Sequence, residues 1–241
     1  ISRTHSSTHK SLIMADFFDK CPLPKVLEWP NSCYQSFLSK FLSLGIVLGS
    51  VIVKLPQIIN ITSTKDVKGL SPEAFYTEVP MTLLTVVYNI RQGYSFSTYG
   101  ESVMILIQNI ILVLLLWQYT KPIPPSFTVK LSVLGLFTII GYISYAVVPH
   151  QYLQILPLMT LPMLVYSRMV QIISSWKNKT TGQLSSITVG LTFIGGLVRV
   201  FTTITDVGLD FSLLTSLGIG TALSGVQLAQ IYFYEYRKKR D

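Results

Sequence analysis

The sequence has 241 residues, of which 49% are hydrophobic and only 12% are charged, and its mean hydropathy is +0.50. In a soluble domain roughly a quarter of the residues are charged and hydrate its surface, whereas helices that face lipid need no such residues. The composition therefore excludes an ordinary soluble domain and favours a membrane protein. We interpret the net charge of +8 as a consequence of membrane topology and of contact with anionic lipid, not of nucleic-acid binding.

The chain begins with a polar segment, residues 1–36, which we predict to be a partly disordered tail. It lacks the charged and then apolar stretch of a secretory signal peptide. The opening ISRTHSSTHKSLI has no Met, so we expect the physiological start at Met14. Cys21 and Cys33 are the only cysteines; they could form a disulfide or remain free thiols, and their spacing indicates no zinc or redox site.

Apolar runs of about 20 residues, the length that crosses a bilayer, recur along the rest of the chain. The run ILIQNIILVLLLW is the clearest of them. We predict seven transmembrane helices, at residues 37–60, 74–93, 101–119, 127–147, 151–174, 184–205 and 212–234.

Lys and Arg are distributed unequally between the two sides of these spans. The connections on one side contain only Arg91, together with Asp206 and Asp210. The other side carries ten basic residues: Lys65, Lys68, Lys121, Lys130, Lys177, Lys179, Arg237, Lys238, Lys239 and Arg240. Since positive charge is held in the cytosol during insertion, we predict a cytosolic C-terminus and a lumenal N-terminus. The sequons at Asn60 and Asn178 are then cytosolic and should carry no glycan.

An internal repeat is the most informative feature of the sequence. KLPQIINITSTKDVKGLS in the first span aligns with RMVQIISSWKNKTTGQLS in the fifth, and Gln57 then matches Gln171 at a constant offset of 114 residues. Each unit holds three spans, so a fourth span is needed to give both units the same direction. We predict an all-α fold of two parallel triple-helix bundles and a linker helix (3+1+3). The predicted parts are the first repeat at 37–119, the linker at 120–149, the second repeat at 150–234 and a basic cytosolic tail at 235–241.

The Pro-Gln pair of the first repeat predicts a hinge. Pro56 removes one backbone hydrogen bond, and the side chain of Gln57 could satisfy the exposed backbone groups. The second repeat keeps Gln171 but has Val170 in place of the proline, which predicts a weaker kink there. The alternative is that Pro56 only shapes a static helix.

Polar and ionisable side chains inside the spans are candidate site residues, because they cost several kcal/mol in hydrocarbon. Arg199 is the best candidate for phosphate, since a guanidinium offers paired donors; it could instead bond neighbouring carbonyls. Lys54 could meet a lipid phosphate, extend to the headgroups or pair with Glu78. The amides could line a cleft or simply join helices. The full set is Lys54, Glu78, Asn89, Gln108, Arg168, Arg199 and Gln227.

No arrangement of residues typical of catalysis is present in the sequence. It contains no Gly-rich phosphate loop and no zinc spacing, and its three histidines all lie outside the predicted spans. We therefore predict no catalytic residue, no metal site and no cofactor, and a protein that is not an enzyme.

Several strings resemble the PQ-loop repeat family, which includes the SWEET sugar transporters and cystinosin. They are GIVLGSVIVKLPQI, KGLS, FSTYGE, TGQLSSITV and RVFTTITDVGLD, within about residues 37–236. The strongest resemblance is to the mannose-P-dolichol utilization branch of that family. It implies an endoplasmic reticulum membrane protein that is required for the use of dolichol-phosphate-mannose and dolichol-phosphate-glucose as donors in N-glycan precursor and GPI-anchor synthesis. It implies no catalytic activity.

The expected role is to bind, present or reorient the lipid-linked sugar. Expected partners are dolichol-phosphate sugars and membrane lipid, with lumenal glycosyltransferases as further candidates. Lys238 and Lys239 match a dilysine retrieval signal of the endoplasmic reticulum, or else an ordinary stop-transfer cluster. The alternative function is a small-solute transporter of the SWEET or cystinosin type that works by alternating access.

Overall fold

The computed structural model describes residues 30–67, 72–120, 124–178 and 186–238, and its regular elements in these ranges are all helical. The predictions at Met14, Cys21 and Lys239 concern residues outside these ranges. The α-helices are α1 (Asn31–Val53), α2 (Leu55–Thr64), α3 (Pro72–Gln92), α4 (Phe96–Tyr119), α5 (Phe127–Tyr142), α6 (Ile155–Leu158), α7 (Leu161–Asn178), α8 (Ser186–Asp206) and α9 (Phe211–Lys238).

Seven helical segments in the described ranges are long enough to cross a membrane. Six of them are also apolar enough to do so: Asn31–Thr64, Phe96–Tyr119, Phe127–Val147, His150–Lys177, Val189–Asp206 and Phe211–Tyr234. The remaining segment is α3, which contains Glu78 and Arg91 and is therefore less apolar. Its 21 residues reach about 31 Å, which is the thickness of the hydrocarbon core. The seven predicted spans are thus present.

The first span begins earlier than the sequence predicted. α1 starts at Asn31, so residues 31–36 of the predicted tail are helical, because the polar residues of NSCYQS can continue a helix beyond the hydrocarbon. Cys33 lies in this extension, where it is buried and disulfide-bonded. The span is interrupted at Lys54, and Pro56 stands in the first turn of α2, where a missing backbone N–H is tolerated.

The fifth span is also interrupted, but at a different place from the first. It begins with a 3-10 turn (His150–Tyr152) and the short helix α6, and α7 starts at Leu161 after a turn. Pro157 and Pro162 flank that turn. α7 then continues without a break through Val170, where the first repeat has Pro56. The backbone of the second repeat is thus interrupted beside Pro157 and Pro162 and not at Val170.

The helices form two triple bundles joined by α5. In the first bundle α4 packs between α1 and α3, and in the second α9 packs between α7 and α8. α5 packs on α3 at the edge and has no buried residue, as expected for a linker helix that faces lipid on most sides. The 3+1+3 architecture predicted from the repeat is confirmed.

Two equivalent pairs of helices make most of the contact between the bundles. α1 packs against α8, and α3 packs against α6. In each contact the first span of one repeat packs against the second span of the other repeat. The two contacts are therefore related by an axis of pseudo-twofold symmetry between the bundles. Gly93 and Gly208, both with positive φ, form the equivalent reversals before α4 and α9.

The molecule has two distinct ends. We call the end that contains residues 93–95 and 207–210 the Asp210 end, and the opposite end, where α2 stops, the Lys65 end. The charge count predicts that the Asp210 end is lumenal. A buried apolar cluster that includes Val87, Leu156 and Leu213 joins both bundles at the Asp210 end. The cluster at the Lys65 end, which includes Ile61 and Trp117, lies within the first bundle.

Candidate functional site

The interruption of the first span is held by an amide from another helix. The Lys54 N–H donates to Gln108 Oε1 at 2.9 Å, and Gln108 Nε2 donates to the Ser50 carbonyl at 2.8 Å. In an unbroken helix these two backbone groups would bond each other, so the amide is inserted into the helical ladder. The sequence suggested Gln57 for this role, but Gln57 lies in α2, beyond the break, and α4 supplies the amide instead.

Lys54 forms an ion pair inside the first bundle. Its Nζ lies 2.6 Å and 2.7 Å from the two carboxylate oxygens of Glu78, and it also lies over the ring of Phe75. The Lys54 side chain is 15% exposed and that of Glu78 is 38% exposed. The pair connects α1 to α3 at the level of the kink. Lys54 is therefore already neutralised by the protein.

The predicted polar residues of the second repeat form a chain of hydrogen bonds between α7 and α9. Arg168 Nη1 donates to Gln227 Oε1 at 2.9 Å, and Gln227 Nε2 donates to Gln171 Oε1 at 2.7 Å. Gln227 is only 2% exposed. Among the described residues Arg168 has no carboxylate partner. Among the described residues Arg168 is thus held by the amide of Gln227, which Gln171 supports in turn.

Arg199 bridges the two bundles. Its Nε donates to Glu101 Oε1 at 2.6 Å, and its Nη1 donates to the Ser97 carbonyl at 3.2 Å. Both partners belong to α4 of the first bundle, and the Arg199 side chain is 6% exposed. The best sequence candidate for phosphate binding is thus neutralised by a carboxylate of the opposite bundle.

A second bridge lies at the Asp210 end. The hydroxyl groups of Tyr88 and Tyr94 each donate to Asp210 Oδ2 at 2.5 Å, while the Leu213 N–H donates to Asp210 Oδ1 at 3.0 Å. Burial opposes ionisation of Asp210, but these hydrogen bonds outweigh it and lower its pKa. Burial and the bond to this carboxylate raise the pKa of Tyr94. Asp210 is therefore an ionised acceptor that holds two tyrosines of the other bundle.

The contact between α1 and α8 near this end is polar. Ser39 and Ser43 of α1 are fully buried, and the Ser43 hydroxyl has no hydrogen-bond partner among the described residues. On α8 the same holds for Arg199 Nη2, and Asp206 interacts with Ser39 and with Lys40 of α1. Buried polar groups of this kind are usually bridged by water. The contact is therefore easier to separate than an apolar one.

Two further features lie outside these bridges. Asn89 donates from Nδ2 to the Thr85 carbonyl at 2.8 Å, while its Oδ1 is buried with no partner in the described part of the chain.

A groove of about 700 Å³ runs along the kinked span. The groove is lined by Ile52, Leu55, Pro56, Ile59, Asn60 and Ser63.

The structure brings six of the predicted residues into two groups. Lys54, Glu78 and Gln108 meet in the first bundle, and Arg168, Gln171 and Gln227 meet in the second. Arg199 stands apart from both. Lys238 is the last described residue of α9, and its partner Lys239 is beyond the described ranges.

The cross-bundle partners Glu101, Tyr88 and Tyr94 were missed. Glu101 could have been noticed as a carboxylate at the start of a predicted span. Tyr88 and Tyr94 give no signal of their own, since tyrosine is common near membrane interfaces.

Comparisons with known proteins agree with this architecture. The PQ loop repeat family matches residues 38–98 and 152–212, and the two matches are separated by the offset found within the sequence. The structure is similar to that of a eukaryotic SWEET transporter, with a TM-score of 0.65 at 12% sequence identity. The similarity covers 84% of this chain and 98% of the transporter chain. Two matches to one repeat family, on two bundles of SWEET-like fold, show that the chain belongs to the PQ-loop repeat family.

Proposed function

We propose that this PQ-loop protein is a non-enzymatic membrane protein of the endoplasmic reticulum that binds dolichol-phosphate sugars and presents or reorients them for glycosyltransferases. One observation supports the proposal that the protein reorients its ligand. The four cross-bundle hydrogen bonds described above all lie in the half of the molecule near the Asp210 end. At the level of Lys54 and Arg168 the polar contacts remain inside each bundle. The interface is thus held together at one end.

This asymmetry supports a protein with two states. Tyr88 and Tyr94 can release Asp210 without leaving a new charge in hydrocarbon, because these groups lie beside connections at the end of the bundle. The polar α1–α8 contact can take up water when it separates. With the topology predicted from the charges, we infer that this state is closed to the lumen and that its ligand enters from the cytosolic half.

The choice of ligand rests on the sequence and on one cation. The strings shared with the mannose-P-dolichol utilization branch and the lysines near the C-terminus favour lipid-linked sugars in the endoplasmic reticulum. In a lipid of this class the head group carries a phosphate. Arg168 offers the charge that such a group needs, since the other two membrane cations considered, Lys54 and Arg199, are paired with carboxylates.

The decisive experiment is complementation of a cell line that cannot use dolichol-phosphate-mannose. We expect the wild-type chain to restore full-length lipid-linked oligosaccharides, and Asp210→Ala to reduce the rescue because it removes the acceptor of both tyrosines. Val226→Ala, an exposed position of α9, is the matched control for expression. A wild-type chain that reaches the endoplasmic reticulum and leaves the truncated oligosaccharides unchanged would refute the proposal.

A second function, a small-solute carrier, is supported by the SWEET-like fold and by the same arrangement of cross-bundle contacts. An alternating-access carrier needs interactions that close one end at a time, and Tyr88, Tyr94 and Asp210 are suited to that task. Uptake of labelled sugars or amino acids into proteoliposomes separates the two functions. Uptake that Asp210→Ala abolishes would favour the carrier, whereas rescue in cells without any uptake would favour the lipid-handling role.

A further inference from the structure

The two bundles hold a cation at the same repeat position. Lys54 and Arg168 are separated by the offset that relates Gln57 to Gln171, and each lies in the span that opens its repeat. Each residue is also bonded to a glutamine from the third span of its own bundle: the Lys54 N–H to Gln108, and the Arg168 guanidinium to Gln227. Each bundle therefore brings a cation of its first span together with a glutamine of its third span.

These two polar centres differ in their negative charge. In the first bundle Glu78 supplies a carboxylate to Lys54, with both oxygens within 2.7 Å of the ammonium nitrogen. The residue that corresponds to Glu78 in the second repeat is Thr192, which has no charge and is exposed. Arg168 bonds through Nη1 only among the described residues, although a guanidinium carries five N–H donors. In the described part of the chain, the second centre thus has the cation and the amides but no anion.

We infer that Arg168, Gln171 and Gln227 form a binding site for the phosphate group of a membrane lipid, which supplies the negative charge that Glu78 supplies in the first bundle. This inference rests on the proposed function and identifies its ligand-binding residues. A planar guanidinium matches phosphate oxygens in a paired geometry, and each such contact is a charge-assisted hydrogen bond. The site is therefore chemically suited to a phosphomonoester or a phosphodiester.

The position of Arg168 on α7 favours a lipid over free phosphate. Met169, Val170 and Ile173 are 38%, 49% and 45% exposed and lie on the other face of the helix, so α7 borders hydrocarbon at this level. An isoprenoid or acyl chain attached to the phosphate would remain in that hydrocarbon, whereas inorganic phosphate has no apolar part to place there. Arg168 also lies about 15 Å along the helix from Asn178, so the head group would sit inside the helical bundle.

The test uses the purified full-length chain in detergent, with farnesyl phosphate as the probe. Farnesol has the same chain without the charge, and inorganic phosphate has the charge without the chain. We expect farnesyl phosphate to raise the unfolding temperature and to bind at least about tenfold more tightly than either of the other two. Equal binding of farnesol would overturn the phosphate assignment, and equal binding of inorganic phosphate would overturn the lipid assignment.

A pair of substitutions at Thr192 tests the location of the site. Thr192→Glu should recreate the first bundle's ion pair with Arg168 and weaken farnesyl phosphate binding by about tenfold or more, while the chain remains folded. Thr192→Gln, of the same size and without charge, should stay within about threefold of wild type. Equal losses in the two variants would overturn the inference.

Arg168→Gln provides an independent check that does not depend on the fit of a new side chain. It should abolish the difference between farnesyl phosphate and farnesol, and a retained difference would place the phosphate elsewhere. The outcome is separable from that of the proposed function. If wild type rescues the cells but Arg168→Gln binds farnesyl phosphate as wild type does, the site inferred here is wrong and the proposed function is still supported.

Discussion

Gln108 accepts a hydrogen bond from the backbone N–H of Lys54 at 2.9 Å and thereby holds open a break in the first span. The same amide donates to the Ser50 carbonyl, so one side chain of α4 replaces one hydrogen bond of α1. Pro56 prevents the simplest repair, because its ring would clash with the carbonyl of Ile52 in a straight helix. The kink thus depends on a proline in one helix and a glutamine in another.

Replacement of Gln108 by Leu should destabilise the first bundle. The change leaves the Ser50 carbonyl and the Lys54 N–H unpaired, which we expect to reduce the free energy of unfolding by about 2 kcal/mol. The neighbouring Asn109→Leu is the matched control, since both side-chain polar atoms of Asn109 are buried without a partner among the described residues. It should be neutral or stabilising. Thermal unfolding in detergent measures both, and equal losses would contradict this account of the kink.

The ion pair between Glu101 and Arg199 should show strong energetic coupling. Removal of one partner leaves a buried charge, so Glu101→Gln or Arg199→Met should each reduce the free energy of unfolding by about 3 kcal/mol. The double variant should cost clearly less than the sum of the two. The Lys54–Glu78 pair, with a more exposed carboxylate, is the comparison and should show weaker coupling. Additive effects at Glu101 and Arg199 would argue against a bridge between the bundles.

Low pH should weaken the closure at the Asp210 end. Hydrogen bonds lower the pKa of Asp210 in the folded chain, so its stabilising effect is complete above the unfolded-chain value of about 4 and is lost as the pH falls through the folded-state pKa. We expect the difference in unfolding temperature between wild type and Asp210→Asn to shrink from about pH 5 to about pH 3. Asn is chosen because it keeps the helix cap. A difference independent of pH would mean that the Asp210 charge does not contribute.

Side-specific labelling should verify the orientation predicted from the charges. Single cysteines at Lys65 and Lys177 should react with an impermeant maleimide from the same, cytosolic side of microsomes. A cysteine at Leu209, which is 87% exposed at the Asp210 end, should react only after the membrane is opened. Native Cys33 is disulfide-bonded and does not interfere. Labelling of Lys65→Cys and Lys177→Cys from opposite sides would be incompatible with two parallel repeats.

The sequence predicted the architecture because the relevant information is local to each helix. Apolar runs of membrane-spanning length located the seven crossings, and α3 was recovered despite Glu78 and Arg91. The constant offset between Gln57 and Gln171 predicted two parallel units, and the odd number of spans in each unit required the linker α5. These inferences depend on residue type and chain distance alone.

The choice of partners required the tertiary structure. Gln108 and not Gln57 satisfies the broken helix, Glu101 neutralises Arg199, and Asp210 binds tyrosines that are more than 100 residues away in the chain. A polar residue in a span indicates that some partner exists, since an unpaired group in hydrocarbon is unfavourable. Which partner it is depends on the rotation and depth of neighbouring helices. Side-chain packing between helices determines this rotation and depth, and neither can be predicted from the hydropathy of a single helix.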